Sequence, residues 1–257
     1  MSWETVQLDA EDDVATLTVD RPDRLNALDA ETLDGIYEAL AEAEEQEARA
    51  LVIRGAGDDA FVAGADISYM QDLDPAAAAD YCEHGQRVMR AIEDFPAPVI
   101  AAVNGYAFGG GSEIALASDI RVASDRAIIG QTEITLGIVP GWGGTWRLAK
   151  VVGEEQAKRM VYLGDRLSAE EAEDVGLVGE VVPHDAVEDR AREIALEVAE
   201  GPAFAMTAAK EAIDRSFDAD RTTMEAYERR LWSGLFGSHD QREGMEAFLE
   251  DRDPEFR

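Results

Sequence analysis

Lysine and cysteine are the residues that this sequence has least of. Its 257 residues include only three lysines (Lys150, Lys158 and Lys210) and one cysteine (Cys82), and 55 Asp and Glu stand against 23 Lys and Arg. The net charge of −32 excludes a protein that tracks nucleic-acid phosphates, which needs a basic surface, and disfavours anionic membranes. A single cysteine excludes an internal disulfide and favours a reducing compartment.

Long apolar segments and an N-terminal signal are also lacking. No run approaches the roughly 18 residues that a membrane helix needs, and no basic region followed by an apolar one opens the chain. We therefore expect a soluble, cytoplasmic protein. Hydrophobic residues still make up 46% of the sequence, enough to form a core, so the acidic residues are expected on the surface.

An acid excess with so little lysine resembles the cytosolic proteins of halophiles that accumulate salt. Like charges on a folded surface repel each other, and concentrated salt screens this repulsion because the Debye length falls to about 3 Å at 1 M. An ordinary acidic protein is the alternative interpretation.

Strand and helix patterns alternate along most of the chain. Period-two and short apolar runs predict strands at 14–19, 51–53, 98–103 and 120–123, and apolar periodicity predicts helices at 29–48, 75–95 and 112–117. In the first of these helices, the apolar face is formed by Leu33, Ile36, Tyr37 and Leu40. Such alternation is typical of the α/β class.

The C-terminal part has a different pattern. Four segments with helical periodicity follow Val182-Pro183 without a strand between them, namely 185–200, 203–217, 221–236 and 240–251. We predict an α/β core over residues 1–195 and an all-helical region over residues 196–257.

Two glycine-containing segments could bring backbone N–H groups close to a ligand. Gly109-Gly110-Gly111 precedes a predicted helix, whose first N–H groups have no partner inside the helix and lie at the positive end of its dipole. This arrangement suits a phosphate or a developing oxyanion, and a simple glycine turn is the alternative. Ala63-Gly64-Ala65-Asp66, after a strand, is the second such segment, although small residues at such a place usually serve packing.

Two glutamates stand in apolar surroundings although most acids of this chain are expected in solvent. Glu113 follows the glycine triplet, and Glu133 lies among apolar residues twenty positions later. A pair of poorly hydrated carboxyls suits the addition or elimination of water, because one takes a proton and the other gives one.

Other chemistries lack their residues. His84, His184 and His239 show no metal-ligand spacing, and no Walker motif is present. The residues around Ser112 do not form a nucleophile elbow. We expect no metal site.

Several motifs in order resemble the crotonase superfamily, specifically the enoyl-CoA hydratases. These are Arg21-Pro-x-x-Leu-Asn-Ala-Leu28, Pro98-Val-Ile-Ala-Ala-Val-Asn-Gly-Tyr-Ala-Phe-Gly-Gly-Gly-Ser-Glu113, Gly130-Gln-Thr-Glu133, Leu136-Gly-Ile-Val-Pro-Gly-Trp-Gly-Gly-Thr145 and Arg242-Glu-Gly-Met-Glu-Ala-Phe248. They span nearly the whole chain, so together they are far more specific than any one of them.

The resemblance implies a fold, an assembly and a substrate. The fold is a spiral of ββα units followed by a helical region that forms trimers, often dimers of trimers. The substrate is an acyl-CoA, so coenzyme A is part of the substrate, and no metal or redox cofactor is implied. A non-catalytic or RNA-binding member of the fold is a remote alternative, which the scarcity of lysine argues against.

The resemblance also assigns roles to residues. The N–H groups of Ala65 and Gly110 form the oxyanion hole for the thioester oxygen. Glu113 deprotonates water for attack at C3, and Glu133 delivers a proton to C2. The substrate-binding residues are Arg24, Leu25, Ala63, Gly64, Asp66, Ile67, Gly109, Gly141 and Trp142.

Departures from the family pattern concern the coenzyme A phosphates and the acyl pocket. The cation near the start is displaced by one position, to Arg24, and a lysine near the C-terminus is replaced in the stretch Asp251-Arg-Asp-Pro254. Trp142 replaces a smaller side chain beside the acyl pocket and is expected to shorten it. Trp146 is explained equally well by core packing.

The sequence therefore predicts reversible syn addition of water to a trans-2-enoyl-CoA, giving the 3-hydroxyacyl-CoA. The alternatives that keep the same oxyanion hole are a 3-hydroxypropionyl-CoA dehydratase, a methylglutaconyl-CoA hydratase and an enoyl-CoA isomerase.

Overall fold

The computed structural model describes residues 1–257 and contains two sheets surrounded by helices. The strands are β1 (Val6–Glu11), β2 (Val14–Val19), β3 (Ala50–Gly55), β4 (Ala60–Val62), β5 (Val99–Val103), β6 (Tyr106–Phe108), β7 (Ile120–Ser124), β8 (Ile128–Gly130), β9 (Arg166–Ser168) and β10 (Glu180–Val182). The helices are α1 (Ala30–Glu45), α2 (Ile67–Met70), α3 (Pro75–Glu93), α4 (Gly110–Ala117), α5 (Gly144–Val152), α6 (Glu154–Leu163), α7 (Ala169–Asp174), α8 (Val187–Ala199), α9 (Ala203–Arg215), α10 (Arg221–Leu235) and α11 (His239–Glu250).

From β3 to β8, successive strands alternate between the two sheets. The large sheet has the order β1-β2-β3-β5-β7-β10, and the small sheet has the order β4-β6-β8-β9. The pairs β3 and β4, β5 and β6, and β7 and β8 each place one strand in each sheet before the chain continues into helical structure. Three such units in sequence confirm the predicted spiral of ββα units.

The central strand β5 is covered on both faces, as a buried parallel strand requires. Val99, Ala101 and Val103 belong to the main core cluster, and Ile100 and Ala102 pack in a second cluster with α8. Because side chains alternate across a strand, all five residues can be buried at once. This explains the unbroken apolar run in the sequence.

Helix ends follow the capping residues in the sequence. Asp29 accepts a hydrogen bond from the Thr32 N–H at 2.9 Å and begins α1, and Asp74 caps α3, in which Pro75 is the first residue. Two details predicted for helix α1 are wrong. Helix α1 ends at Glu45 rather than near residue 48, and Tyr37 is 38% exposed, beneath the Arg87 guanidinium, instead of on the buried face.

The predicted boundary at residue 195 lies inside α8. Ala195 and Ala199 of this helix are buried against the large sheet, so the structure that packs on the core continues to the end of α8. The division into a core and a helical region stays a prediction. Helices α9, α10 and α11 follow, and none of the helices in the chain combines the length and apolar character needed to cross a membrane.

The acidic residues lie at the surface, as the composition predicts. Of the 55 carboxyl side chains, only Asp66, Glu113 and Asp240 are buried. Residues 98–149 carry only Glu113, Asp119, Asp125 and Glu133 of these acids. The segment that contains both candidate catalytic glutamates is therefore also the segment with the lowest density of negative charge.

Candidate active site

Three parallel strands of the small sheet end at the same edge, and the candidate site lies just beyond that edge. Strand β4 pairs in parallel with β6, and β6 pairs in parallel with β8. Ala65 follows the end of β4 by three residues, Gly110 follows β6 by two, and Glu133 follows β8 by three. The topology therefore brings together three residues that are widely separated in sequence.

The Ala65 N–H points away from the segment that contains Leu28. The Leu28 N–H donates to Gly64 O at 2.9 Å, and the Asp66 N–H donates to Leu28 O at 2.6 Å, so the residues on either side of Ala65 make the bridge to Leu28. Because successive peptide groups of an extended chain point in opposite directions, the Ala65 N–H is left on the other side.

Gly110 offers a second unpaired N–H. It is the first residue of α4, so its N–H has no acceptor within the helix. The preceding Gly109 has φ of +47°, a conformation that favours glycine, and its N–H donates to Gly130 O at 2.9 Å. Helix α4 begins two residues before the predicted Ser112, and this difference makes Gly110 the helix N-terminus.

Close packing holds α4 against the small sheet. A Cβ at Gly111 would lie 1.9 Å from Val62 O, so only glycine allows α4 to approach β4 this closely. A Cβ at Gly64 would lie 3.2 Å from Phe108 O, so the segments that carry Ala65 and Gly110 are in contact. The glycines of both segments therefore set the separation of the two N–H donors.

Glu113 is buried in the first two turns of α4 and its carboxylate is bound by another helix. Its Oε1 accepts hydrogen bonds from the N–H groups of Trp142 and Gly144, each at 2.7 Å. Gly144 is the first residue of α5, whose dipole also favours a negative charge. Burial raises the pKa of Glu113, and the two N–H donors and the Arg147 guanidinium oppose this shift. All of its hydrogen bonds are made by Oε1, so Oε2 is free to take a proton.

Glu133 lies at the start of a short 3₁₀ turn and is half-buried. Burial raises its pKa to about 7, and the nearby charge of Glu113 adds to the shift. Its carboxylate packs over the backbone of α4, since a Cβ at Gly109 would lie 3.1 Å from Oε1. The two glutamates therefore differ in environment, because backbone N–H groups bind the Glu113 carboxylate whereas burial dominates at Glu133.

Gln131 was not predicted as a site residue, although it lies between the two carboxyl-bearing segments. It is fully buried, and with its amide nitrogen towards Glu133 it donates to Oε1 at 2.9 Å while its oxygen accepts from Ser112 Oγ at 3.2 Å. Its only sequence signal was an uncharged polar residue directly after a buried strand. Gln131 therefore orients the Glu133 carboxylate.

Trp142 fills the gap between α3 and α4. It is 5% exposed, and its ring packs edge-on against Tyr81 with centroids 5.4 Å apart. A Cβ at Gly85 would lie 2.1 Å from the indole, and one at Gly110 would lie 2.3 Å from it. The indole therefore packs directly behind the unpaired Gly110 N–H.

The remaining predicted substrate-binding residues occupy two kinds of position. Leu25 and Ile67 are 40% and 56% exposed, and Arg24 is also exposed, so these three lie at the surface near Ala63 and Gly64. The Asp66 carboxylate is already engaged, because it caps α2 and pairs with Arg21 at 3.1 Å. Gly141 contacts α3, where its carbonyl oxygen accepts from Gln86 Nε2 at 2.8 Å.

Trp146 does not pack in the core, contrary to one interpretation of the sequence. Its side chain is 46% exposed and lies between two cations, with Arg147 at 4.2 Å and Lys150 at 4.7 Å from its ring centroid. The helical spacing of α5 points Leu148 inwards and leaves Trp146 outside, where the cations stabilise it.

Several known proteins of similar sequence and structure are described as enoyl-CoA hydratases. The enoyl-CoA hydratase/isomerase family matches residues 9–257. The short-chain-enoyl-CoA hydratase of Clostridium acetobutylicum is 40% identical over 98% of this chain and 97% of its own length, and the crotonyl-CoA hydratase of Syntrophomonas wolfei is 40% identical over 100% and 99%. A crystal structure of enoyl-CoA hydratase from Bacillus anthracis superposes with a TM-score of 0.94 at 36% identity, covering 98% of this chain and 99% of that one.

The raised pKa of Glu133 predicts that the folded protein becomes less stable as pH rises. The carboxyl ionises near its ordinary value of 4.5 when unfolded and near 7 when folded, so the stability from its protonated form is complete below 4.5 and is lost as pH rises through 7. Glu133→Gln cannot ionise, so this loss is absent in the variant. Between pH 5 and pH 8, the free energy of unfolding of the parent protein should therefore fall by about 2–3 kcal/mol relative to that of the variant.

Urea unfolding at both pH values measures this difference. The matched control is Glu197→Gln, since Glu197 is exposed on α8. Equal changes with pH in the Glu133 variant and the parent protein would show that Glu133 titrates normally.

Proposed function

Because this chain belongs to the enoyl-CoA hydratase/isomerase family, we propose that Glu113 and Glu133 carry out the reversible syn addition of water to a trans-2-enoyl-CoA. The observation that carries this proposal is the convergence of two unpaired backbone N–H groups and two poorly hydrated carboxyls at one sheet edge. The product is the 3-hydroxyacyl-CoA, so the enzyme is a hydro-lyase.

The chemistry divides between backbone and side chains. Ala65 and Gly110 donate hydrogen bonds to the thioester oxygen as it gains enolate charge, and such donors are each worth about 2.7–4 kcal/mol in the transition state. Glu113 takes a proton from water through Oε2 while the water oxygen bonds to C3. Glu133 gives its proton to C2, so both new bonds form on the same face of the alkene.

The reaction as proposed needs no metal or redox cofactor. Water addition changes no oxidation state overall, and its two proton transfers and one charge stabilisation are supplied by the four groups named above. The coenzyme A portion of the substrate extends towards the exposed residues Arg24, Leu25 and Ile67, and Arg24 is the cation that we assign to a phosphate.

The acyl group of the substrate is short. Trp142 occupies the space next to Gly110 that a longer chain would need, and two relatives at 40% identity are named short-chain-enoyl-CoA hydratase and crotonyl-CoA hydratase.

The C-terminal helices carry the assembly surface. Large apolar side chains remain exposed on α9, α10 and α11, among them Phe204, Ile213, Trp232, Phe248 and Leu249, and a groove of about 630 Å³ lies between α9 and α10. A cluster of large apolar side chains exposed on neighbouring helices marks a contact with other chains. The partners that cover this surface are further copies of this chain, arranged as a trimer or a dimer of trimers.

The acidic surface adapts the enzyme to a salt-rich cytoplasm. With 23 Lys and Arg against 55 Asp and Glu, the protein has too few cations to neutralise its carboxylates, so dissolved cations perform this role. Molar KCl is therefore the medium for the experiments below.

Glu113→Gln and Glu133→Gln should each hydrate crotonyl-CoA about 10²–10⁴-fold more slowly than the parent enzyme, because each removes one proton-transfer group. The loss of the enoyl absorbance in molar KCl measures the rate, and circular dichroism checks the fold. Glu197→Gln, on the exposed face of α8, is the control and should keep the parent rate. A folded variant of either site glutamate with a near-normal rate would contradict the two-carboxylate mechanism.

Trp142→Ala should open the pocket and change the preference for chain length. The ratio of kcat/KM for 2-octenoyl-CoA to that for crotonyl-CoA should rise about tenfold or more, since each buried methylene adds binding energy. Loss of the indole removes core packing, so Trp142→Leu provides a second, better-filled variant. Trp3→Ala is the control at a distant tryptophan. An unchanged ratio in both Trp142 variants would show that the indole does not limit the acyl chain.

Phe248→Glu should weaken the assembly, because Phe248 is 85% exposed on α11 and a buried carboxylate at an interface is unfavourable. Light scattering during gel filtration should give a mass of three or six chains for the parent protein and a smaller mass for the variant. Tyr37→Glu, on α1, is the control. A monomeric parent protein in molar KCl would overturn the proposed assembly.

A further inference from the structure

Arg147 on α5 is a buried cation to which the mechanism above gives no function. Its side chain is 5% exposed. Nε donates to Glu93 Oε1 at 2.6 Å, Nη2 donates to Glu93 Oε2, and Nη1 donates to Trp142 O at 2.7 Å. Each side of the planar guanidinium fork is thus engaged, one with a carboxylate and the other with a backbone carbonyl.

The residue held by Arg147 is also the one that binds Glu113. The Trp142 N–H donates to Glu113 Oε1 at 2.7 Å, and the Trp142 carbonyl accepts from Arg147. Trp142 is therefore held through its backbone at both ends, by the catalytic carboxylate and by the guanidinium. The next donor to Glu113, the Gly144 N–H, is only two residues further along the chain.

The absence of a side chain at Gly143 leaves room for the Arg147 guanidinium. Its φ is +112°, and a Cβ at this position would lie 2.0 Å from Arg147 Nη1. A side chain at residue 143 would therefore push the guanidinium away from the Trp142 carbonyl. The Trp146 ring, 4.2 Å from the Arg147 guanidinium carbon, covers the same group on another side.

Glu93 fixes the guanidinium relative to α3. It is the last residue of that helix, and its bidentate contact determines both the position and the rotation of the fork. Lysine is a point charge with no such fork, so it can supply the charge at this place but not both contacts.

We propose that Arg147 and Glu93 form a positioning pair, which holds the backbone of residues 142–144 so that the Trp142 and Gly144 N–H groups converge on Oε1 of Glu113. The pair touches neither substrate nor the reacting atoms, and it acts through the geometry and charge around Glu113. The inference rests on the proposed function, because it assigns this pair a role in the proton transfer to Glu113.

The charged groups around Glu113 determine what its pH profile reports. Glu133 on the 3₁₀ turn, Cys82 on α3 and Arg147 on α5 all interact with Glu113, and of these only Arg147 is a cation. Arg147 lowers the pKa of Glu113, so removing its charge raises that pKa and moves the acidic limb of kcat/KM to higher pH. Glu93 in turn interacts with the Asp214 carboxyl on α9, which also interacts with Lys150.

The experiment compares Arg147→Gln, Arg147→Lys and Glu93→Gln in hydration of crotonyl-CoA, in molar KCl and across pH. For Arg147→Gln we expect kcat to fall about 10–100-fold, with KM within about twofold, and the acidic limb to move to higher pH. Arg147→Lys keeps the charge, so its acidic limb should return towards that of the parent enzyme while kcat stays reduced. Glu93→Gln should lower kcat with a smaller movement of the limb.

Arg190→Gln is the matched control, because Arg190 also pairs with a glutamate away from the site, where its Nε donates to both carboxylate oxygens of Glu180, at 2.9 and 3.0 Å. It should keep the parent kcat and pH profile. Near-ultraviolet circular dichroism, which reports the packing of Trp142, shows whether each variant is folded.

Two results would overturn the inference. One is a folded Arg147→Gln variant with the parent kcat and pH profile. The other is a loss of kcat in all three variants with an unmoved acidic limb, which would indicate a merely structural role. If the parent enzyme itself does not hydrate crotonyl-CoA while Glu113→Gln is folded, the proposed function fails instead, so the two failures are distinguishable.

Discussion

The hydrogen bonds between Glu113 Oε1 and the N-terminus of α5 are the interaction on which the site depends. A carboxylate buried without partners is strongly unfavourable, and here two N–H groups at 2.7 Å, a helix dipole and Arg147 offset that cost. The same two bonds join α4 to α5. Because α4 carries the unpaired Gly110 N–H and α5 begins just after Trp142, this one carboxylate fixes the position of that N–H relative to the Trp142 indole behind it.

The large elements could be predicted from the sequence and the small sheet could not, and the roles predicted for four site residues stay predictions. Strand β5 and helix α3 gave long periodic signals with clear ends. Strands β4, β6 and β8 have three residues each, which is too few to show a period. The sequence pattern therefore could not predict these strands or the sheet edge at which they end. Glycine context and family resemblance pointed to four candidate residues, Ala65, Gly110, Glu113 and Glu133. They meet because these short strands pair.

The sequence did not point to three further residues, Gln131, Arg147 and Glu93, for a related reason. Their significance lies in contacts across the fold, and in a chain with 55 acids a glutamate such as Glu93 has the appearance of surface charge.

The charge distribution links composition to the site. Almost all carboxyls are solvated, and the stretch that forms β5, α4 and the Glu133 turn carries four of them. A site lined by many carboxylates would raise the pKa of each by mutual repulsion and would repel the phosphates of an acyl-CoA. Keeping the segment poor in acids limits the interaction to the pair Glu113 and Glu133, whose environments then determine their protonation.

In the proposed mechanism, the difference between these two environments lets one site run the reaction in both directions. Two backbone donors hold the Glu113 charge, whereas Glu133 is half-buried beside the Gln131 amide and has a pKa of about 7. In the proposed hydration the protonated Glu133 gives its proton to C2, and in the proposed dehydration the same oxygen removes it. An acid with a pKa near 7 populates both forms at neutral pH, so neither direction begins from a rare protonation state. A pair with two carboxylates of ordinary pKa would favour the base form of both groups, and the proton for C2 would then be missing. Burial of Glu133 at the carboxyl edge of the small sheet is therefore as much a part of the chemistry as the oxygen atoms themselves.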